Sequence, residues 1–479
     1  MGELLPCCVI ETVPGDTYHL GGDMMVRFAP LTAPVMHHVN AHIHYFFVAN
    51  RTIWPDFPKL VSPPMEGDIP PAHPYITIDN TLTTAQERFL DYLEIPPFTG
   101  GGGFSTQVSA LPMMAYQKIY DEYYRDENLI NPLNTILNNG SNPIGILATM
   151  RQRAWEHDAF TSALPWTQKG DPVDLPLGEI TLDPTWPATN VPVFRDNAGA
   201  VSAGALTANN APPQVEAGGI TAAYDPNGSL IVDATTINDL RRAEAIQKML
   251  EIDARGGTRY NESMMAHFGE DIGDATLQRA EYIVGTKTPI VISEVLNQTG
   301  ETGGLPQGNM SGHGVAAGGG NLASYHCSEY GFIIGILSVI PRTAYMWGLP
   351  KWASNNDRYD YYWPALANIG EEAVLNKEVM AYCLTQEGTF AYDPRYYQHK
   401  YKYSRVAGTF FRGAGLYWHL ARDFSRGAAV PLNDEFIEVD PADCERIFAV
   451  QDGSDNLFMH VLNKITARRL MPVYGTPQL

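Results

Sequence analysis

One stretch, Pro34 to Pro55 (PVMHHVNAHIHYFFVANRTIWP), constrains the fold of this chain most. Read as a β-strand, its successive side chains point to opposite faces. Val35, Val39, Ala41, Ile43, Tyr45 and Phe47 make one apolar face, broken only by His37. The other face begins polar with His38, Asn40, His42 and His44, then turns apolar at Phe46 and Val48. That pattern suits a strand with one face on a core and the other on solvent, giving way to packing toward its end. Asn50-Arg51 breaks the alternation, and Trp54 stands as a large anchor before Pro55.

Length alone, at 479 residues, suggests roughly three domains, although all-β chains with long insertions break that rule. Charged residues are only 18%, and Gly, Pro and Tyr number 43, 35 and 25. This composition describes a loop-rich β protein with much of its surface against other protein, because interfaces are depleted of charge. A net charge of −21 argues against a dedicated nucleic-acid binder but leaves room for a local basic patch. The cysteines (Cys7, Cys8, Cys327, Cys383, Cys444) are odd in number and lack CxxC spacing. They read as reduced, buried thiols of a protein that folds in a cytoplasm. The N-terminus MGELLPCCVIE has no signal-peptide pattern, and the best apolar run, Phe332 to Ile340, is too short to span a membrane. A soluble protein is expected.

In chain order, the turn Val13-Pro14-Gly15-Asp16 punctuates a strand pair. Thr83-Thr84 caps a helix carrying Phe89, Leu90 and Leu93. Gly100 to Gly103 reads as a flexible link, since no Lys-Ser/Thr follows to make a phosphate cradle. Residues 112 to 128 predict an amphipathic helix with Tyr116, Ile119, Tyr120 and Tyr123 on one face and Asp121, Glu122 and Arg125 facing away. From about Val173 to Ala234 the chain is rich in Gly, Ala, Thr, Asn and Pro and reads as a surface insertion. A helix follows from Ile237 to about Arg255, capped by Thr236 and Asp239, with an apolar stripe including Leu240, Ile246 and Met249. A short helix, Tyr260 to Phe268, and a strand, Pro289 to Val295, come next, and Gly300 to Gly320 reads as a loop. Further strands are expected at Tyr330–Ile340, Phe410–Phe411, Arg446–Val450 and Leu457–Leu462. A mainly β fold, an eight-stranded antiparallel jelly roll with long helical and loop insertions, accommodates this best.

His42 and His44, at i and i+2 on a strand, can point at one metal, as in jelly-roll metalloenzymes of the cupin type. The carboxylate such a site wants is replaced by Phe47 and Val48, so a histidine-rich face in a core or interface competes with that reading. Glu371-Glu372, taken as helical neighbours pointing apart, and His313 read as structural, and there is no GxSxG elbow. No catalytic residue, metal site or cofactor is assigned. The stretch Arg395 to Arg405 (RYYQHKYKYSR) holds basic residues and no acidic one, interleaved with tyrosines. As a strand it places Lys400 and Lys402 on one face and Tyr401 and Tyr403 on the other. With Arg395 and Arg405 they make a candidate surface for single-stranded nucleic acid, which needs charge along the backbone and rings for the bases. The competing reading is a strand paired with acidic neighbours.

Ten stretches together resemble the major capsid proteins of microviruses, most closely the gokushovirus branch. They are VPGDT (13–17), FFVANRTIW (46–54), YQKIYDEYYRDENL (116–129), TSALPWTQKGDP (161–172), ARGGTRYNE (254–262), HFG (267–269), LQRAEYI (277–283), YDYYWPALANIGEEAVLNKE (359–378), WHLARDF (418–424) and RLMPVYG (469–475). The resemblance implies a non-enzymatic coat subunit, one jelly-roll domain over 1–479, that self-assembles into a T=1 icosahedral shell around circular single-stranded DNA. It implies that about 173–235 is the variable insertion forming protrusions at the threefold axes and meeting a host receptor. Val173, Phe194, Asn209, Tyr224 and Asn227 are the candidate attachment residues there. Expected partners are further copies, a small basic DNA-packaging protein, other virion or scaffolding proteins and the genome, with no membrane insertion. Assembly is expected in the bacterial cytoplasm. The match begins almost at residue 1, so a longer N-terminal arm is expected to be short or absent. Ala49 stands where a proline is common in the family, which leaves the strand reading intact. A metal-dependent enzyme centred on His42 and His44, or a glycan-binding module using the insertion, are the alternatives.

Overall fold

The computed structural model describes residues 1–62, 69–96, 105–174, 180–182, 230–232, 236–296, 310–320, 322–424, 427–451 and 455–471. Eight strands dominate it: β1 (Leu5–Thr12), β2 (Thr17–Phe28), β3 (Val39–Ala49), β4 (Glu281–Leu296), β5 (Met310–Gly319), β6 (Ala323–His326), β7 (Gly331–Pro341) and β8 (Leu457–Arg468). All pair antiparallel, in the order β1-β7-β3-β4-β5-β2, with β6 and β8 also on β2. Strand β4 belongs to both layers. Its first part, Glu281 to Ile290, lies along β3, and its second part, Val291 to Leu296, lies along β5. This is an eight-stranded antiparallel jelly roll with helical and loop insertions.

The central stretch behaves as its alternation dictates, with one correction. Val39, Ala41, Ile43, Tyr45 and Phe47 are buried between the layers, against Leu20, Val26, Ile333 and Leu337. On the opposite face Phe46 and Val48 pack as expected, in a second core with Met113, Tyr116 and Ile119 of the helix Leu111–Ile119. The polar start of that face is covered too: His42 is buried, and Asn40 and His44 are half-buried. Each fully buried side chain of this size stabilises the fold by about 1.5–3 kcal/mol, so two-sided burial makes β3 the spine of the molecule. The strand starts at Val39 rather than Pro34, and Asn50–Ile53 is a helical turn. Trp54 closes it, buried and donating to Asn139 Oδ1 at 2.6 Å.

The turn at 13–16 forms as expected, with the Asp16 carboxylate accepting from the Val13 N–H at 3.0 Å and Gly15 at φ 93°. It does not close a hairpin. It passes the chain between layers, since β1 pairs with β7 while β2 pairs with β5, β6 and β8. The helix Thr84–Tyr92 carries the capping box of Thr83 and Gln86 and buries Phe89 and Leu90. The helix expected over 112–128 ends at Ile119 and continues as a π turn, Tyr120–Tyr124. Its charged face is internal: Arg125 pairs with Asp121 at 2.6 Å and Lys118 with Glu122 at 2.8 Å, and both basic side chains are more than nine-tenths buried. Arg259 and Arg279 on the following segment take the remaining acceptors there, which draws the chain onto the turn.

Part of the expected 300–320 loop is strand β5. Its glycines are there for packing: a Cβ on Gly312 would lie 2.5 Å from the Ala33 carbonyl oxygen, and one on Gly314 2.8 Å from the Phe28 ring. Phe410–Phe411 lies in a 3-10 turn, Gly408–Phe411, where Gly415 approaches the Thr409 carbonyl too closely for a side chain. The Arg446–Val450 region makes only a bridge from Phe448 to Leu31. The run 100–103 lies outside the described residues. Cys8, Cys327, Cys383 and Cys444 are buried, Cys7 is half-buried, and none is in a disulfide. Burial pushes the Cys444 thiol up to about 11 and those of Cys8 and Cys327 up to about 12, which keeps them protonated and unreactive.

A separate unit spans Gln168–Asp253. Within it Ile180–Leu182 pairs antiparallel with Leu230–Val232, and the helix Ile237–Gly256, which lies in it up to Asp253, starts with Asp239 N–H donating to Thr236 Oγ1 at 3.3 Å. The apolar stripe of this helix is not core: Ile237, Leu240, Ile246 and Met249 are exposed. Among the described residues no helix is long and apolar enough to cross a membrane.

Candidate functional site

The stretch Arg395–Arg405 leaves a two-stranded ladder, Glu371–Leu375 with Thr389–Pro394, in which Glu372 lies opposite Asp393. Glu371 and Glu372 are thus strand neighbours, not helical ones, and each is ion-paired, with Arg255 at 2.5 Å and Lys351 at 2.8 Å respectively. The single strand read from 395–405 does not form. Tyr396 adopts the left-handed conformation (φ 63°), which turns the chain into a helical turn, Tyr397–Lys400. Only Ser404–Arg405 is extended, parallel to Ala344–Tyr345.

That geometry divides the candidate residues. Arg395 is committed inward, with its guanidinium 3.9 Å from the Glu372 carboxylate and 4.9 Å from the centre of the Tyr396 ring. The Tyr396 N–H donates to Glu372 at 3.0 Å, and the Tyr397 hydroxyl donates to Glu378. Tyr403 is packed on Phe160 and Tyr345 at ring distances of 5.2 and 5.7 Å. Lys400, Lys402 and Arg405 are exposed, and none has an ion-pair partner among the described residues. Tyr401 is 37% exposed between them, with Asp158 and Arg342 both nearby. Two carboxyl groups thus lie close by: Asp158 near Tyr401, and Asp393 near Lys400, which is pushed up to about 7 by burial and then by Glu371 and Glu372 and so is only about half charged at neutral pH.

Sequence reasoning missed what sits beside this stretch. Residues 359–363 fold against it: the Tyr362 ring lies 5.0 Å from Tyr396 and 6.2 Å from His399, and the Tyr396 hydroxyl donates to the Tyr361 carbonyl at 3.3 Å. A dense YDYYW run was the available signal.

His42 and His44 do not make a metal centre. His44 Nδ1 is bonded to the Tyr124 hydroxyl at 2.8 Å and its ring stacks on that tyrosine. The Nε2 of His42 is 4.0 Å from Glu156, whose carboxylate is taken by Lys287 at 2.5 Å. Burial first, and the Arg153 guanidinium second, pull His42 down to about 3 and His44 down to about 4. Two cationic side chains beside the pair oppose a bound cation. Among the described residues no group of three or more His, Cys, Asp or Glu side chains is arranged to hold a metal ion. His313 lies on β5, opposite Ser293 of β4.

Of the candidate attachment residues, Val173 is half-buried, while Phe194, Asn209, Tyr224 and Asn227 lie outside the described residues.

The family model described as Capsid protein (F protein) matches residues 1–479. The chain is 32% identical to Capsid protein VP1 of Bdellovibrio phage phiMH2K, covering 99% of this chain and 92% of that protein. It is 30% identical to Capsid protein VP1 of Chlamydia phage 1 (100% and 93%) and 29% identical to Capsid protein VP1 of Spiroplasma virus 4 (100% and 92%).

Proposed function

This chain belongs to the phage capsid F protein family, in its gokushovirus-type microvirus branch, and from that premise we propose how it builds and uses a shell. It is a structural capsid protein and virion component, not an enzyme, and works by assembling with copies of itself. The finer reading is a T=1 icosahedral shell enclosing circular single-stranded DNA. Lys400, Lys402 and Arg405, with Tyr401 between them, face the interior and touch the genome. The observation that carries this is that, among the described residues, none of the three cations is in an ion pair, in a chain of net charge −21. Free cations beside a partly exposed ring meet the needs of a single strand, phosphate neutralisation and stacking. A shell this acidic also calls for a separate small basic protein to neutralise most of the genome, alongside other virion or scaffolding proteins. Buried, protonated thiols agree with assembly in the reducing bacterial cytoplasm.

The segment of about 173–235 is proposed as the surface insertion that forms the threefold protrusion and meets the host receptor, within one coat domain spanning 1–479. The ladder of Ile180–Leu182 with Leu230–Val232 supports this, because a paired stem lets the residues between vary without disturbing the rest. Replacing 183–229 by a short Gly-Ser link is expected to leave the subunit folded and abolish attachment; an insoluble product would put those residues in the core. The shell reading itself is tested by electron microscopy of particles from the natural source, with the relative ultraviolet absorbance of nucleic acid and protein taken on the same sample. Uniform small icosahedra rich in DNA are expected, and a discrete monomer or dimer free of DNA would overturn it.

A further inference from the structure

We infer that the segment Lys351–Ile369 is a contact surface for a second copy of this chain. It rests on the shell assembly stated above and concerns which part of the subunit makes the contact. Trp352, Tyr359, Tyr361, Tyr362, Trp363 and Ile369 are 74, 54, 60, 54, 44 and 60% exposed, on a stretch in which every residue from Asn356 to Ala365 is exposed. At about 150–250 Å² for each aromatic side chain, these rings offer on the order of 600 Å². That is most of the ~800 Å² one partner contributes to a standard protein contact, and at the top of what a monomer leaves open.

Hydrogen bonds within the segment fix the turn that carries Tyr359 to Trp363. The Asp360 carboxylate accepts the N–H groups of Asn356 and Asp357 at 2.7 and 2.8 Å, and Trp363 Nε1 donates to the Arg358 carbonyl at 2.8 Å. The Trp363 N–H donates to the Tyr396 hydroxyl at 3.2 Å, tying the segment to the body of the subunit. A surface fixed in advance loses little side-chain freedom on docking. The Arg358 guanidinium sits 5.1 and 5.6 Å over the Tyr359 and Trp363 rings, and Tyr, Trp and Arg are the residues that dominate the centres of protein contacts.

Charge selects protein over DNA here. Lys351 is neutralised by Glu372, and Arg358 stands between Asp357 and Asp360. The two backbone N–H groups hold the Asp360 carboxyl below its usual range, so it stays charged. A locally neutral, aromatic surface does not attract phosphates. It suits the desolvated centre of a subunit contact, and the subunit that every copy meets in a shell is another copy.

Photocross-linking of intact particles tests this, using a full chain carrying Tyr361→p-benzoylphenylalanine. Irradiation is expected to give a product of twice the chain mass whose cross-linked peptides all come from this chain. Cross-links to DNA, cross-links to a different virion protein, or uncross-linked chains alone would each overturn the inference. Absence of particles from the unmodified chain is the separate result that would remove the shell premise. A Trp352→Ala, Tyr361→Ala variant is expected to lower particle yield at least tenfold while the unassembled subunit keeps its melting transition. Unchanged yield would also overturn the inference.

Discussion

The hydroxyl of Tyr45 donates to the side-chain oxygen of Asn463 at 2.6 Å, joining positions 418 residues apart. The Asn463 amide in turn donates to the Cys7 carbonyl at 3.0 Å. Strands β3, β8 and β1 therefore meet at one polar relay at the edge of the core, where the two layers come together.

Tyr45→Phe is expected to lose about 1 kcal/mol, the net worth of one hydrogen bond. Gly22→Ala should lose more, because its Cβ would lie 2.5 Å from the Tyr45 oxygen. Combining the two should cost less than their sum, since removing the hydroxyl removes the clash. Urea denaturation of the full chain measures all three, and strict additivity would mean that Gly22 is present for another reason.

Phe46→Ala opens a cavity between β3 and the turn Tyr120–Tyr124, where its ring lies 4.9 Å from that of Tyr123, and is expected to destabilise by about 3–5 kcal/mol. A loss below about 1 kcal/mol would show that the turn does not pack on that face.

Asp393 and His42 are expected to give opposite pH signatures. The folded protein holds Asp393 up at about 7, so the aspartate favours the fold below its ordinary pKa and loses that contribution as pH rises through 7. Asp393→Asn should thus be more stable than the parent at pH 8, with the advantage gone by about pH 4. His42 is held down at about 3, so its contribution is present above the ordinary histidine value and fades as pH falls toward 3. His42→Gln should gain on the parent as pH drops from about 6.5 to 4. Melting temperatures across this range check both signs.

Replacing Lys400, Lys402 and Arg405 together by Gln should weaken single-stranded DNA binding and lower its log–log salt dependence by about 2, at roughly 0.7 per cation. Arg395→Gln should leave that slope unchanged and lower stability instead, because Arg395 is engaged with Glu372. Equal slopes for the triple variant and the parent would refute the proposed DNA contact.

What was legible in the sequence is what a local pattern determines. Period-two alternation identified β3 and its inward residues, and Thr83-Thr84 marked a helix start. Packing at Phe46 and Val48 was readable, but the covering of the polar start of that face was not: His42 is buried, and Tyr124, which covers His44, lies 80 residues on, beyond the reach of any local window. The glycines of β5 read as a loop because their reason is a neighbour, Phe28 or Ala33, supplied by tertiary packing. At the candidate site the charges of 400–405 were visible. The left-handed Tyr396 and the Glu372 carboxylate that captures Arg395 were not, since both depend on a strand ladder built from 371–394.

Strand β2 is complete by Phe28, yet its long partner β8 runs from Leu457 to Arg468. A ribosome adding about 5–20 residues per second needs tens of seconds to supply everything between them. Until then the edge of β2 that β8 covers has unpaired backbone groups, which can pair with another strand. Synthesis order thus delays the finished wall until the final stretch leaves the exit tunnel, and a prematurely terminated polypeptide is left with an open, adhesive rim.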